Sequence, residues 1–340
     1  MKPIWWFLIF VFTMASIGQL GANTPPQVSN VSAAQRLDGS KIVDIWYGVN
    51  DADNDTLTVS VAVSNDNGAT FVITPSPANL SGAIGENILS GTNKHIIWNA
   101  GAEGVSFDGS QFKVKVTATE KINLSYGLVA YYPFNGNAND TTGHGHDGTT
   151  NGVTLTTDRF GSANKAYWFD GNSYIQADDD NFPFGSDMRT IYVWVYMTDY
   201  GNENYSHIVH YGSGNTGQAW GMAVANYIMG GYYQGGLSSH EWAVEQYIGT
   251  VPLNTWTQLA IVLSNSGVKD YYINGTYLGS ITYIPNTVSS GYMRIGSRIT
   301  GQPVEFFHGK IDDIRLYNRA LSQDEIQALY HEGGWTGNPR

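Results

Sequence analysis

The sequence predicts an all-β chain of two domains that finishes with one short helix. Three observations predict it. Short apolar or alternating runs recur at close spacing along most of the chain, Asn274-Gly275 joins two such runs at the separation of a hairpin turn, and a helical period occurs only near the end, after Ser322. At 340 residues the chain is long enough for about two domains with cores of their own.

Taken in order, the first element is not part of either domain. Met1 and Lys2 give a short positive start, and Ile4 to Met14 form an apolar run broken only by Thr13. That is the pattern of a secretory signal peptide. Ser16-Ile17-Gly18 satisfies the small-x-small cleavage rule, and a cut after Ala22 is the alternative. Residues 1–22 are therefore read as the signal, with the mature chain secreted or held at the cell surface and not inserted in a membrane. The apolar run is well short of the roughly 20 residues that span a bilayer.

Residues 24–119 carry the runs Val28 to Ala33, Ile42 to Val49, Leu57 to Val63, His95 to Trp98 and Phe112 to Ala118. Leu57, Val59, Val61 and Val63 alternate with Thr58, Ser60 and Ala62, the period of a half-buried strand. This rhythm reads as an immunoglobulin- or fibronectin-type sandwich, a module that commonly serves as a spacer. Residues 120–126 lack a strong apolar pattern and read as a linker. A second domain follows over residues 127–332, with residues 333–340 as a tail. Its strands include Thr190 to Met197, apolar on both faces and so covered on both sides, which implies two stacked sheets. Asn274-Gly275 suits a type I′ turn, which needs positive φ at both positions. Ser322 and Glu325 form a capping box ahead of Ile326, Leu329 and Tyr330, and Gly333-Gly334 ends the helix.

Composition limits function. There is no cysteine, which excludes disulfides, thiolate chemistry and a lipoprotein anchor. A net charge of −12 disfavours nucleic acid and anionic membrane, both of which call for basic patches.

Three segments carry a family resemblance: GLVAYYPFNGNANDTTGHGHDG from Gly127 to Gly148, AYWFDGNSYI from Ala166 to Ile175, and GKIDDIRLYNRALS from Gly309 to Ser322. In order and spacing they resemble the laminin-G-like jelly-roll family of bacterial exported proteins, part of the concanavalin A-like lectin and glucanase superfamily. The resemblance implies a jelly-roll sandwich for the second domain. It also implies a structural calcium ion, with Asp140, Asp170 and Asp312 in the three signature segments as its carboxylate ligands. The bland alternative is that each aspartate caps a turn or binds backbone amides. Asp312, read by simple alternation, shares a face with Ile314 and Leu316 and points inward.

Function must come from residues, because this fold hosts lectins, adhesion modules and glycosidases alike. The superfamily's glucanases resemble E-x-D-x-E, which does not occur here. Glu241 and Glu245, four apart on a strand, would sit about 13 Å from each other, too far for a retaining carboxylate pair. Catalysis is therefore not expected, and a glycoside hydrolase site assembled from distant loops is left as the lesser alternative. Aromatic residues crowd the stretch from Tyr196 to Tyr247, and Tyr232, Tyr233, His240 and Trp242 are the candidate ligand-binding residues, since aromatic platforms stack on sugar faces. The expected partner is carbohydrate, or else a cell-surface or matrix protein. Ser64 to Phe71 matches the Asp-box pattern S-x-D-x-G-x-T-F, read as a tight turn set by Asp66 and Gly68. Asp51 begins a run that fails as an EF-hand and reads as a solvated acidic turn between strands, and His144 and His146 read as surface residues.

Overall fold

The computed structural model describes residues 25–52, 56–105, 111–120, 122–200, 205–229, 232–239, 247–264, 266–299 and 301–337. The signal expected over residues 1–22 lies outside them, as do His240 and Trp242.

Seven strands make the N-terminal part: β1 (Gln27–Gln35), β2 (Ile42–Asn50), β3 (Leu57–Ser64), β4 (Leu80–Gly82), β5 (Gly85–Ile88), β6 (Gly91–Asn99) and β7 (Lys113–Glu120). They form a four-stranded sheet ordered β1-β2-β6-β4 and a three-stranded sheet ordered β5-β3-β7. Ile45, Tyr47, Leu57, Val59, Ile96 and Trp98 meet in the core of this region, each the alternate residue of its strand. The Asp-box residues form the tight turn expected of them. Asp66 accepts from Thr70 N at 2.9 Å and Thr70 Oγ1 at 2.6 Å, and Gly68 N donates to Ser64 Oγ at 2.8 Å. Asp51 is buried, contrary to its reading as part of a solvated turn.

Fifteen strands follow: β8 (Leu128–Tyr132), β9 (Thr149–Asn151), β10 (Thr154–Thr156), β11 (Ala166–Asp170), β12 (Tyr174–Ala177), β13 (Arg189–Met197), β14 (Tyr205–Gly212), β15 (Ala219–Met229), β16 (Tyr232–Ser238), β17 (Tyr247–Ile248), β18 (Trp256–Leu263), β19 (Val268–Ile273), β20 (Thr276–Thr282), β21 (Met293–Ile295) and β22 (His308–Tyr317). One sheet of eight strands runs β10-β11-β22-β13-β18-β19-β20 with β8 also paired to β22, and a second runs β17-β16-β15-β14-β21-β12-β9. Their facing residues, among them Phe134, Phe169, Ile191, Val193, Val195, Trp220, Met222, Leu259, Ile261 and Ile295, form one buried core.

Strand β13 is covered on both sides, and the two covers differ. Ile191, Val193 and Val195 face the sheet-to-sheet core. Tyr192 and Trp194 face a second cluster with Trp256, Ile326, Leu329 and Trp335, so the outer cover is the C-terminal helix α1 (Gln323–Tyr330). Ser322 and Glu325 cap that helix reciprocally, as expected. Asn274 (φ 50°) and Gly275 (φ 70°) make the β19–β20 turn, and the Gly275 carbonyl accepts from Gln323 and Gln327 of the helix. Among the described residues no helix is long and apolar enough to cross a membrane.

Candidate functional site

On the seven-stranded sheet, residues paired directly across strands share a face. The row Thr149, Gln176, Arg294, His210, Gly221 therefore crosses five strands on the side away from the core, and His207, Ala223, Ser238 and Tyr247 form a parallel row. His207 and His210 are three apart, which in a regular strand puts side chains on opposite faces. A β-bulge between His207 and Val209 inserts Ile208 and brings both imidazoles to the outer face, with ring centroids 4.6 Å apart.

Residues 296–299 and 301–307 fold back over these histidines. Gly296 takes φ 85°, and a Cβ there would lie 2.4 Å from the Phe169 ring, so the bend needs glycine. The returning chain is bonded to β14 through Gly296 N to Ile208 O and His207 N to Glu305 O. Ile299 N donates to His210 Nδ1 at 3.0 Å, which makes that nitrogen an acceptor. Glu305 meets His207 Nε2 at 3.0 Å and Arg298 at 3.1 Å. Burial pushes the Glu305 carboxyl up, but His207 and Arg298 outweigh it and hold it below its ordinary value.

Arg294 locks the same loop. Its guanidinium donates to the carbonyls of Arg298 and Gly301, each at 3.0 Å, and lies 5.2 Å from the ring centres of both Tyr174 and Tyr292. Tyr292 in turn donates to Ile299 O at 3.0 Å. Two half-buried tyrosines thus lie against a buried cation, with Gln176 bonded to Arg294 at 3.4 Å and Asn151 paired with Tyr174. Such a ledge offers aromatic faces for stacking and polar groups for hydroxyls.

The residues singled out from sequence fare differently. Tyr232 and Tyr233 lie in β16, paired with Met229 and Ile228, and their side chains fall outside the described residues, as do His240 and Trp242 altogether. Of the surrounding aromatics, Tyr205, Tyr211 and Trp220 are buried, and Tyr247 is exposed. Tyr174 and Tyr292 were missed because only the register of three strands and the loop behind them brings them together.

The three aspartates do not fit one calcium ion. Asp140 accepts from Tyr131 N at 3.0 Å, Thr142 N at 3.0 Å and Thr142 Oγ1 at 2.6 Å. Burial acts to raise its carboxyl, and these donors bring it below the ordinary range. Asp170 is exposed and accepts from Asn172 N at 2.9 Å, an ordinary turn. Asp312 is 4% exposed and is bound by Arg159 at 3.0 Å, and the same guanidinium holds Asp313 at 2.8 Å. Burial first, then the adjacent Asp313 charge, push Asp312 well above the carboxylate range against the pull of Arg159. Among the described residues no group of three or more histidine, aspartate or glutamate side chains gathers as a metal site.

Asp312 does not share a face with Ile314 and Leu316: the register shift against β13 makes Asp313 (φ 55°) an extra residue, so Asp312 pairs with Trp194 on the helix-covered side. His146 is not at the surface; it is buried against Phe182 and bonded through Nδ1 to Asp178 at 2.6 Å.

With this geometry in place, residues 169–327 match the family model described as Concanavalin A-like lectin/glucanases superfamily. This bears out the laminin-G-like resemblance and the all-β, concanavalin A-like class for that part of the chain. No curated protein matches. Among solved structures, domain 4 of AbnA, an extracellular arabinanase of Geobacillus stearothermophilus solved with arabinotriose, is similar at 20% identity and TM-score 0.46, over 60% of this chain and 98% of that one. The binding domain of botulinum neurotoxin serotype G is similar at 17% identity and TM-score 0.44, and that of Paraclostridial Mosquitocidal Protein 1 at 16% and 0.45. These matches cover 60% and 62% of this chain, which spans about half the length of those two binding domains, 50% and 53%.

Proposed function

We propose that this is an exported, non-catalytic binding protein that recognises carbohydrate through its concanavalin A-like domain. The observation that carries the reading is the ledge of Tyr174 and Tyr292 around Arg294, held rigid by bonds from Arg294 and Tyr292 to the loop behind it. Rigid aromatics lose little entropy when a ligand stacks on them. The adjacent carboxylates Asp312 and Asp313 offer no support for hydrolysis, since Arg159 binds both. A glycan array probed with the full chain tests the proposal. Binding is expected, and the Tyr174→Ala/Tyr292→Ala double variant should lose at least about tenfold in affinity, roughly 1.4 kcal/mol. An array without hits, or full binding by the double variant, would count against the ledge.

A second reading, a protein-interaction module of the cell surface, is favoured by one feature. The edge strand β20 exposes Tyr277 and Leu278, with Ile284 exposed just beyond it. Exposed edges pair readily with strands of other chains.

A further inference from the structure

We propose that the outward face of the N-terminal four-stranded sheet is a second carbohydrate-binding surface, a stacking platform built on Trp46. Strand β2 turns Ile45 and Tyr47 into the core, and Trp46 between them stays 44% exposed and takes no part in that core. Its ring is nevertheless fixed. His95, directly across on β6, stacks on the indole with centroids 3.9 Å apart and planes within 6°. His95 Nε2 is bonded to Asp44 at 2.8 Å, and Arg36 holds the same carboxylate through Nε at 2.8 Å and Nη2 at 2.9 Å. Three polar residues thus orient one exposed aromatic, the arrangement of a prepared contact and not of a core residue.

The other side of the indole faces Ser32, its partner on β1, whose side chain is too short to cover it. Along the same face lie Ala34 and Ser81, both exposed, beside Asp44 and Ile97. Apart from Ile97 the floor carries small side chains, and it spans four strands, about 14 Å at the usual strand spacing. A stable protein interface needs roughly 800 Å² per partner with an apolar centre, and one indole among serine and alanine does not supply that. A net charge of −12 opposes nucleic acid. A neutral polysaccharide fits both limits: one sugar face stacks on Trp46, and the partly exposed Asp44, Arg36 and His95 meet its hydroxyls. The site shares no residue with the Tyr174 and Tyr292 ledge, so the two readings stand or fall separately.

The test is affinity gel electrophoresis of the full chain through soluble neutral glucans, mannans and xylans. At least one polysaccharide should retard the chain. Trp46→Ala should weaken that retardation by about tenfold, Trp46→Phe should keep most of it, and the loss should persist in the Tyr174→Ala/Tyr292→Ala background. The thermal midpoint should not move, because Trp46 is outside the core. Retardation by none of the polysaccharides, or Trp46→Ala migrating as the wild type through every gel that retards it, would overturn the proposal. Loss of retardation in the tyrosine double variant alone would place all sugar binding on the second domain and also overturn it.

Discussion

Asp312 and Arg159 show how much one residue's setting decides. Both side chains are buried, and Arg159 also lies 4.8 Å over Trp194 and 4.7 Å over Phe160, so removing the Asp312 carboxyl takes away one of two partners of a buried cation that keeps Asp313. Asp312→Ala should cost about 1–3 kcal/mol, the usual penalty for leaving part of a buried polar group unsatisfied. Denaturant unfolding with and without calcium checks this, and an equal loss in both buffers is the expected result; a loss seen only with calcium would revive the metal assignment. Asp44 gives the pH counterpart. The hydrogen bond from Arg36 brings its carboxyl down to about 2 against the opposing cost of burial, and His95 adds to the fall. Its unfolded value is about 3.9, so the folded state gains from ionised Asp44 above that pH and loses the gain as pH falls toward 2. Thermal unfolding between pH 5 and 2 should show a steeper decline for the wild type than for Asp44→Asn. Equal slopes would remove Asp44 from the account.

At the scale of elements, two bulges and one helix organise the two larger sheets. Regular alternation would have parted His207 from His210 and put Asp312 beside Ile314, and in each strand one inserted residue reverses the outcome. Helix α1 has a sequence signal that is easy to read, but its packing is not. Tyr192 donates to Leu329 O at 2.8 Å, Trp194 stacks on Tyr330 at 5.6 Å, and Arg319 grips the capping Glu325. Deleting residues 322–340 should uncover Tyr192, Trp194, Trp256 and Tyr272 together. At roughly 150–250 Å² per aromatic ring, that exceeds the apolar patch a soluble monomer tolerates. The truncated chain should aggregate or bind a hydrophobic dye, as size-exclusion chromatography and dye fluorescence will report. A dye-negative monomer with an unchanged midpoint would mean the helix is an accessory.

Over the whole molecule, cohesion without cysteine comes from separate hydrophobic cores and from arginines that tie distant segments. One of these is Arg319, which binds the Tyr126 carbonyl at 2.8 Å and so ties a residue read as linker to the segment just ahead of helix α1. The sequence by itself determined the strand-rich class, the Asn274-Gly275 turn, the Ser322 cap and the concanavalin A-like resemblance. Each of these depends on a few neighbouring residues whose backbone preference or spacing is local. Tertiary structure alone decided that the Asp140, Asp170 and Asp312 carboxylates go to separate partners, that His146 is buried, and that Tyr174 and Tyr292 lie against Arg294. Those outcomes rest on register, bulges and loop return, which join residues far apart in the chain, as Arg159 and Asp312 are at 153 positions. No local pattern encodes such pairings, because they are set by which strands find each other when the two sheets close over their shared core.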